Sequence, residues 1–336
     1  MLNKSGYLYF YAEDGDFSQI LHLSTLCASV VLQKVYLCVN KKYFNFYLKH
    51  NNLPPNVSLH CIDDCDLYSP TLDRIDKLYQ SGSIRSNCPA IERHCINRWL
   101  YLKGKSMFGE SSLISFDWDT FIFPGLAAHN SHLNGIDLGA TNLMSLGWDP
   151  APKEPIWSLC PNLLYFSSLS LDLYIYYLEI YIARCEKFGS IVNDFFCDMQ
   201  PWSSVISSSL AGRRNLKLLN FNDIVDDTCL VDHNVRILYD CGLNFKEMRY
   251  YFQTGSPTYL ETPYLPAKHI VFSDYDRPFF VIEANASSRS PINSPPVLKE
   301  VAAIHFSGVE GKHLLLQTFK ENIFKYLQRN LGTRPF

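Results

Sequence analysis

The segment Ser112-Leu-Ile-Ser-Phe-Asp117-Trp-Asp119-Thr-Phe-Ile-Phe123 is the most informative part of this sequence. Its first five residues predict a short apolar strand, which ends in two aspartates separated by one tryptophan. Side chains two positions apart in an extended segment lie on the same side, so Asp117 and Asp119 can share a ligand while Trp118 faces the other way. Two carboxylates at a strand end suit a hard divalent cation such as Mg²⁺ or Mn²⁺.

The position of this pair matters more than the motif, because the chain contains four Asp-x-Asp pairs. The other three are Asp14/Asp16, Asp64/Asp66 and Asp274/Asp276. Only Asp117 and Asp119 directly follow an apolar strand. If the pair stood alone, a solvated turn after a strand would be the favoured interpretation.

The beginning of the chain alternates between strand and helix patterns. The strand-like runs are Tyr7–Ala12, Val35–Asn40 and Val57–Cys61, and the helix-like runs are Phe17–Leu32 and Tyr43–His50. Such alternation predicts an α/β fold with a central, mostly parallel sheet flanked by helices. Ligands of open sheets bind beyond the carboxyl ends of the strands, so the loops after Ala12 and Cys61 are candidate nucleotide contacts. No Gly-x-Gly-x-x-Gly follows the first strand, which disfavours a dinucleotide-binding domain.

Later segments complete this outline. We expect helices over Pro89–Lys103 and 171–188, a further helix opening after Asp198, and a terminal helix over His313–Leu331. The runs Lys268–Ser273 and Phe279–Ala284 predict a hairpin, and Val301–Phe306 predicts a strand. Residues 1–240 should form the principal core, and residues 241–336 an appended hairpin and closing segment of the same domain.

Composition restricts the class of protein. The chain has 336 residues, of which 47% are hydrophobic, so it can bury a large core. A net charge of −3 with scattered Lys and Arg argues against a nucleic-acid partner. The 11 cysteines form no Cys-x-x-Cys pair, which favours reduced thiols. The absence of a leading apolar stretch and of a membrane-span pattern predicts a cytoplasmic protein, with peripheral membrane association left open.

A second motif lies near the other end, in Ile304-His305-Phe-Ser-Gly308-Val-Glu-Gly-Lys312. His305 leaves an apolar strand, Gly308 allows close backbone approach, and Lys312 follows at a distance that lets it reach the same anion. The imidazole would complete a metal site, and Lys312 would balance diphosphate charge. A lone histidine after a strand is more often structural, so this assignment depends on the Asp-x-Asp pair.

Together these motifs resemble the metal-dependent glycosyltransferases of the GT-A fold. The late segment looks most like the His-x-x-Gly-x-x-Lys-Pro-Trp signature of the glycogenin-like retaining family, and its His-Phe-x-Gly is similar to a segment of bacterial surface-polysaccharide transferases. It differs in that Lys312 is one residue late and His-Leu replaces Pro-Trp. The resemblance implies sugar transfer from a nucleoside-diphosphate donor, a UDP-sugar, to a saccharide or glycolipid hydroxyl. Mn²⁺ or Mg²⁺ would be held by Asp117, Asp119 and His305.

The resemblance also implies a donor pocket. Its contacts are predicted at Tyr11, Ala12, Glu13, Asp63, Arg98, Asp117, Gly308 and Lys312. Arg93 and Arg98 both precede the Asp-x-Asp pair on a predicted helix but, being five apart, share no face well, and we favour Arg98.

Asp198 precedes a predicted helix, where the resemblance implies a carboxylate that binds the acceptor or acts as the base. An N-cap is the alternative, because aspartate accepts backbone N–H bonds there. A base would favour inversion of configuration, whereas the glycogenin-like resemblance favours retention.

Two other functions remain open from the sequence. A nucleotidyltransferase would also hold a diphosphate and a metal on an α/β sheet, but it usually needs a Gly-rich, basic loop after its first strand. Here that loop is the acidic Glu13-Asp-Gly-Asp16. A non-catalytic sugar-binding module would not need the coincidence of two aspartates, a histidine and a lysine.

Overall fold

The computed structural model describes most of the chain. The described residues are 2–50, 53–64, 69–84, 89–128, 130–142, 159–188, 197–221, 229–232, 267–272, 278–282, 297–305 and 320–332. The strands are β1 (Leu2–Phe10), β2 (Leu32–Val39), β3 (Val57–Cys61), β4 (Ser112–Phe116), β5 (Thr120–Ile122), β6 (Leu138–Asn142), β7 (Leu159–Ser167), β8 (Leu218–Asn220), β9 (Cys229–Asp232), β10 (Ala267–Phe272), β11 (Pro278–Ile282) and β12 (Val297–His305). The helices are α1 (Ser18–Val31), α2 (Lys41–His50), α3 (Ser69–Gln80), α4 (Pro89–Gly104), α5 (Gly125–Ala128), α6 (Ser168–Phe188), α7 (Met199–Leu210) and α8 (Lys320–Leu331).

A seven-stranded sheet runs through the first two thirds of the chain in the order β3-β2-β1-β4-β7-β6-β8. The pairs among β3, β2, β1 and β4 are all parallel, and β7 runs antiparallel to both β4 and β6. Parallel strands of this kind are buried on both faces, which explains their continuous apolar runs. The predicted α/β fold, with a mostly parallel sheet flanked by helices, is confirmed.

Helices cover both faces of this sheet. Successive residues of β1 point to opposite faces, so Leu8 and Phe10 join one core and Tyr7 joins the other. The first core includes buried residues of α1 and α2. The second core includes Trp99 of α4 and Trp202 of α7, together with residues of α3 and α6. On the side of this second core, α4 supplies Arg98, which bonds to Asp117 of the Asp-x-Asp segment.

A second sheet has the order β10-β11-β12-β5, and β9 pairs with β12. The predicted hairpin is present as the antiparallel pair β10 and β11, in which Phe272 lies opposite Pro278. Strand β5 comes directly after the Asp-x-Asp segment, whereas β12 begins 175 positions after the end of β5. This sheet therefore joins strands from both sides of residue 240, and the predicted division at that point stays a prediction.

The longest described helix, α6, carries Asp172, Glu179 and Arg184 between its apolar residues. Leu171, Tyr174, Leu178 and Ile182 form its buried side. Within the described part of the chain, no helix is long and apolar enough to cross a membrane.

Candidate active site

The Asp-x-Asp segment is the turn that carries the chain from one sheet to the other. Strand β4 belongs to the seven-stranded sheet and β5 to the second sheet. Between them the Thr120 amide donates to the Asp117 carbonyl at 2.9 Å and closes a turn. The segment is therefore a turn, and the extended conformation that we predicted from the sequence is wrong. Trp118 packs against Phe10 and Phe17 on the α1 side, whereas the carboxylate of Asp117 is bonded to α4 on the other side.

Arg98 of α4 joins two of the predicted site residues. Its Nη1 donates to Asp117 Oδ1 at 2.5 Å, and its Nη2 donates to Asp198 Oδ2 at 2.6 Å. Arg98 is only 6% exposed and Asp198 only 4%. Burial opposes the positive charge, but Asp198 and Asp117 outweigh it and keep the pKa of Arg98 well above its usual range. The site thus has a permanently charged guanidinium between two carboxylates.

The two arginines of α4 have different partners. Arg93 pairs with Asp76 of α3 at 2.9 Å, in a half-exposed ion pair at the surface. Arg98 is the one that contacts the Asp-x-Asp segment. Its predicted contact with a donor stays a prediction.

Asp198 lies directly before α7, but its side chain does not cap that helix. Instead its Oδ2 accepts hydrogen bonds from Trp99 Nε1 at 3.0 Å and from Arg98. The N-cap interpretation is therefore wrong, because the carboxylate is drawn into the interior by two donors of α4. The predicted role of Asp198 in binding or catalysis stays a prediction.

The path of α4 explains why Arg98 reaches both carboxylates. A short left-handed turn at Ser106, Met107 and Phe108 follows α4 and leads the chain into β4. The bond from Arg98 to Asp117 places the middle of α4 at the carboxyl end of β4. The Tyr7 hydroxyl of β1 donates to the Arg98 carbonyl at 2.7 Å and fixes the helix against the sheet.

Glu92 and Cys95 of α4 complete the cluster around Asp198. One ligand atom from each of these three side chains lies within 4.8 Å of the other two. Burial, followed by the charge of Asp198, raises the pKa of Glu92 to about 7, and Arg98 opposes the shift. Burial raises the pKa of the Cys95 thiol well above its usual range, so the thiol is protonated at neutral pH.

Glu92 and Cys95 were not predicted from the sequence, although their spacing carries a signal. Glu92, Cys95 and Arg98 follow one another at intervals of three residues, which places them on one face of a helix. Since Arg98 had been singled out, that face could have been read from the spacing.

The late histidine lies beside the Asp-x-Asp turn at the level of the backbone. Strand β12 pairs antiparallel with β5, and His305 is in register with Thr120, the residue after Asp119. Asp119 itself is buried, with 4% exposed. Two segments far apart in the sequence therefore meet here, and the metal-ligand role of His305 stays a prediction. Gly308 and Lys312 lie outside the described residues.

The predicted donor contacts after β1 and β3 lie close together at the same edge of the sheet. The Asn40 side chain donates to the Ala12 carbonyl at 2.9 Å. The Lys41 amide, at the start of α2, donates to Asp63 Oδ2 at 2.6 Å. These bonds tie the loops after three neighbouring parallel strands to one another.

Tyr11 links this edge to α4. Its ring stacks on the His94 ring with centroids 3.6 Å apart and an angle of 15° between the planes. Its hydroxyl donates to Glu13 Oε1 at 2.7 Å, which raises the pKa of Tyr11 to about 12. Burial, with the nearby charge of Arg93, lowers the pKa of His94 to about 4, so this ring is neutral. Helix α4 thus contacts both the predicted donor pocket and the Asp-x-Asp turn.

Comparisons with known proteins give weak likenesses. No protein-family model matches the chain, and no curated protein matches its sequence at a significant level. Among solved structures, the chain is similar to mouse xyloside xylosyltransferase 1, with 10% identity over 74% of this chain and 93% of that chain and a TM-score of 0.43. It is similar to the galactosyltransferase LgtC with donor and acceptor sugar analogs, with 10% identity over 95% of both chains and a TM-score of 0.45. It is also similar to 4-diphosphocytidyl-2C-methyl-D-erythritol synthase from Anaerococcus prevotii DSM 20548, with 12% identity over 65% of this chain and 88% of that chain and a TM-score of 0.35. Likeness at this level assigns no activity.

Proposed function

We propose that this protein is a cytoplasmic glycosyltransferase with a fold of the GT-A type. It would transfer a sugar from a nucleoside-diphosphate donor, a UDP-sugar, to a saccharide or glycolipid hydroxyl. The observation that carries the proposal is the turn between the two sheets, where Asp117 is bonded to Arg98 and the backbone of His305 pairs beside Asp119. Residues far apart in sequence are gathered at one strand end, which is where open α/β sheets bind their ligands.

The charges at this turn fit a divalent cation. Asp117, Asp119 and Asp198 supply three carboxylates, and Arg98 pairs with two of them. The net charge of these four side chains is negative. The Asp117 side chain is 24% exposed, so its carboxylate can bind a ligand while it stays bonded to Arg98. Asp117, Asp119 and His305 would hold Mn²⁺ or Mg²⁺, which when bound supplies positive charge to the diphosphate that leaves the sugar.

The residues of the chain itself would hold the donor in place. Arg98 keeps the Asp117 carboxylate turned toward α4, and Gly308 and Lys312 would contact the diphosphate. The pocket formed by Tyr11, Ala12, Glu13 and Asp63 would take the nucleoside. The stacked rings of Tyr11 and His94 would offer a flat surface to a base. The carboxylates of Glu13 and Asp63 would accept hydrogen bonds from ribose hydroxyls or base N–H groups.

Asp198 would act on the side of the transferred sugar or the acceptor. Its carboxylate, held by Arg98 and Trp99, can accept a hydrogen bond from a sugar hydroxyl without changing its own position. Proton uptake by a carboxylate here accords with direct displacement and inversion. Retention would instead accord with the glycogenin-like resemblance of the late segment, and the configuration of the product distinguishes these courses.

The test is a product analysis with a panel of nucleotide sugars, Mn²⁺ and simple sugar acceptors. We expect release of a nucleoside diphosphate together with a glycosylated acceptor, and loss of both in Asp119→Ala at the Mn²⁺ concentration that suffices for the wild-type protein. Formation of pyrophosphate would identify a nucleotidyltransferase instead. Sugar binding without release of nucleotide would identify a non-catalytic sugar-binding module.

A further inference from the structure

A second carboxyl group faces Asp198, and it belongs to Glu92 in the first turn of α4. The Glu92 carboxyl is half-buried, and its oxygen lies within 4.8 Å of both an Asp198 oxygen and the Cys95 sulfur. No described residue donates a hydrogen bond to Glu92, whereas Asp198 is fixed by two donors. Two facing carboxyl groups, one fixed and one without a donor among the described residues, can both accept a hydrogen bond from the same hydroxyl group.

A cation is the first alternative occupant of this cluster, but its surroundings disfavour one. Cys95 would have to lose its proton to act as a ligand, and burial raises the pKa of its thiol well above the usual range. The cluster is better suited to hold a proton than a metal.

We propose that Glu92 accepts the proton of the acceptor hydroxyl, while Asp198 positions that hydroxyl; this rests on the proposed glycosyl transfer. In the step, the acceptor oxygen gives its proton to Glu92 and forms a bond to the anomeric carbon. The bond from that carbon to the diphosphate oxygen breaks, and its electron pair leaves with the diphosphate. Glu92 then passes the proton to water and is ready for another turnover.

The electrostatic surroundings of Glu92 suit this role. Burial and the charge of Asp198, which lies directly before α7, raise the pKa of Glu92 to about 7. Arg98 on α4 acts in the opposite direction, and the neutral Cys95 thiol lies alongside. A general base works best when its pKa lies near the working pH, because it is then both ionised and basic enough to take a proton. An ordinary exposed glutamate would be a much weaker base.

The experiment compares pH–rate profiles of the wild-type protein, Glu92→Gln and Asp198→Asn with a UDP-sugar and Mn²⁺. In the wild-type protein the rate should rise through about pH 7 as Glu92 ionises. Glu92→Gln should lose roughly 10²- to 10⁴-fold in rate and lack this rise, while its binding of UDP with Mn²⁺ is unchanged. Asp198→Asn should move the rise to lower pH, because it removes a charge that raises the pKa of Glu92. Asp76→Asn, which breaks the surface pair with Arg93 and removes none of the charges that shift the pKa of Glu92, is the control.

A Glu92→Gln variant with a near-normal rate and an unchanged pH profile overturns the inference and leaves the proposed function intact. If the proposed function itself is wrong, the wild-type protein will neither bind UDP with Mn²⁺ nor release UDP from a UDP-sugar, and this result is distinct from an unchanged Glu92→Gln variant.

A second measurement needs no turnover, because a raised pKa also makes the stability of the protein depend on pH. The stability that Glu92 contributes is complete below its ordinary pKa of 4.5 and is lost as the pH rises through about 7. Glu92→Gln should therefore melt at a higher temperature than the wild-type protein above about pH 7, with the difference shrinking toward acid. A melting difference that does not change with pH overturns the inference, whether or not a donor is turned over.

Discussion

Replacing Arg98 with methionine tests the electrostatic centre of the candidate site. Methionine fills much of the volume of the arginine stem but removes the charge that bonds to Asp117 and Asp198. Asp198 would then remain as a carboxylate that is 4% exposed, with Trp99 Nε1 as its one remaining donor among the described residues. We expect Arg98→Met to fold but to be strongly destabilised.

The magnitude follows from the burial of the two ion pairs. At an effective dielectric of about 20, unit charges about 4 Å apart attract by roughly 4 kcal/mol, and desolvation of both groups offsets part of this. Removing one partner of a buried pair typically costs about 3–5 kcal/mol, because the other charge stays buried. Most of this cost comes from Asp198, since Asp117 is 24% exposed and water can compensate its charge.

The assay is equilibrium urea unfolding of Arg98→Met, Asp198→Asn and the double variant. The double variant should be more stable than the sum of the single losses predicts, by about 1–3 kcal/mol, because the neutral amide that replaces the Asp198 carboxylate no longer needs the guanidinium. Losses that add to within about 0.5 kcal/mol would refute the reasoning, since they would mean that the two groups do not interact.

Two further predictions concern the metal and the donor pocket. His305→Ala should raise the Mn²⁺ concentration needed for activity, and Asp119→Ala should raise it further, because a lost carboxylate removes a full negative charge; metal titrations of activity measure this. An unchanged metal requirement in His305→Ala would show that the histidine is structural. Asp63→Ala should lose about 1 kcal/mol of unfolding free energy with the Lys41 hydrogen bond and should weaken UDP binding, whereas the exposed neighbour Asp64→Ala should do neither. Equal UDP affinity in both aspartate variants, measured by calorimetry, would remove Asp63 from the pocket.

The elements of the first half were predictable because their signals are local. Strands β3 and β4 were predicted with the bounds that the structure shows, and α4 to within one residue. Apolar runs and a proline at the first helical position depend only on neighbouring residues. Helix α3 was missed, although its buried Leu72, Ile75 and Leu78 recur at intervals of three residues.

The contacts of the site were harder to predict because they are not local. Nothing near Asp198 in the sequence indicates Arg98, which is 100 positions away. The Asp-x-Asp turn was taken as extended because the sequence does not show that β4 and β5 belong to different sheets. The pKa of Glu92 depends on burial between α4 and α7, which no spacing rule supplies. Individual elements could thus be predicted, whereas the charge pairs between them could not.

The most direct test of the account is the melting temperature of the protein with UDP, in the presence of Mn²⁺ or of excess chelator. If Asp117 and Asp119 hold Mn²⁺ and the diphosphate binds to that ion, the binding of UDP and the binding of Mn²⁺ would depend on each other. UDP at about 100 times its dissociation constant should stabilise the wild-type protein by roughly 2.7 kcal/mol when Mn²⁺ is present. The account predicts almost no UDP stabilisation in chelator, and almost none in Asp119→Ala with Mn²⁺. Equal stabilisation by UDP with and without metal would contradict it.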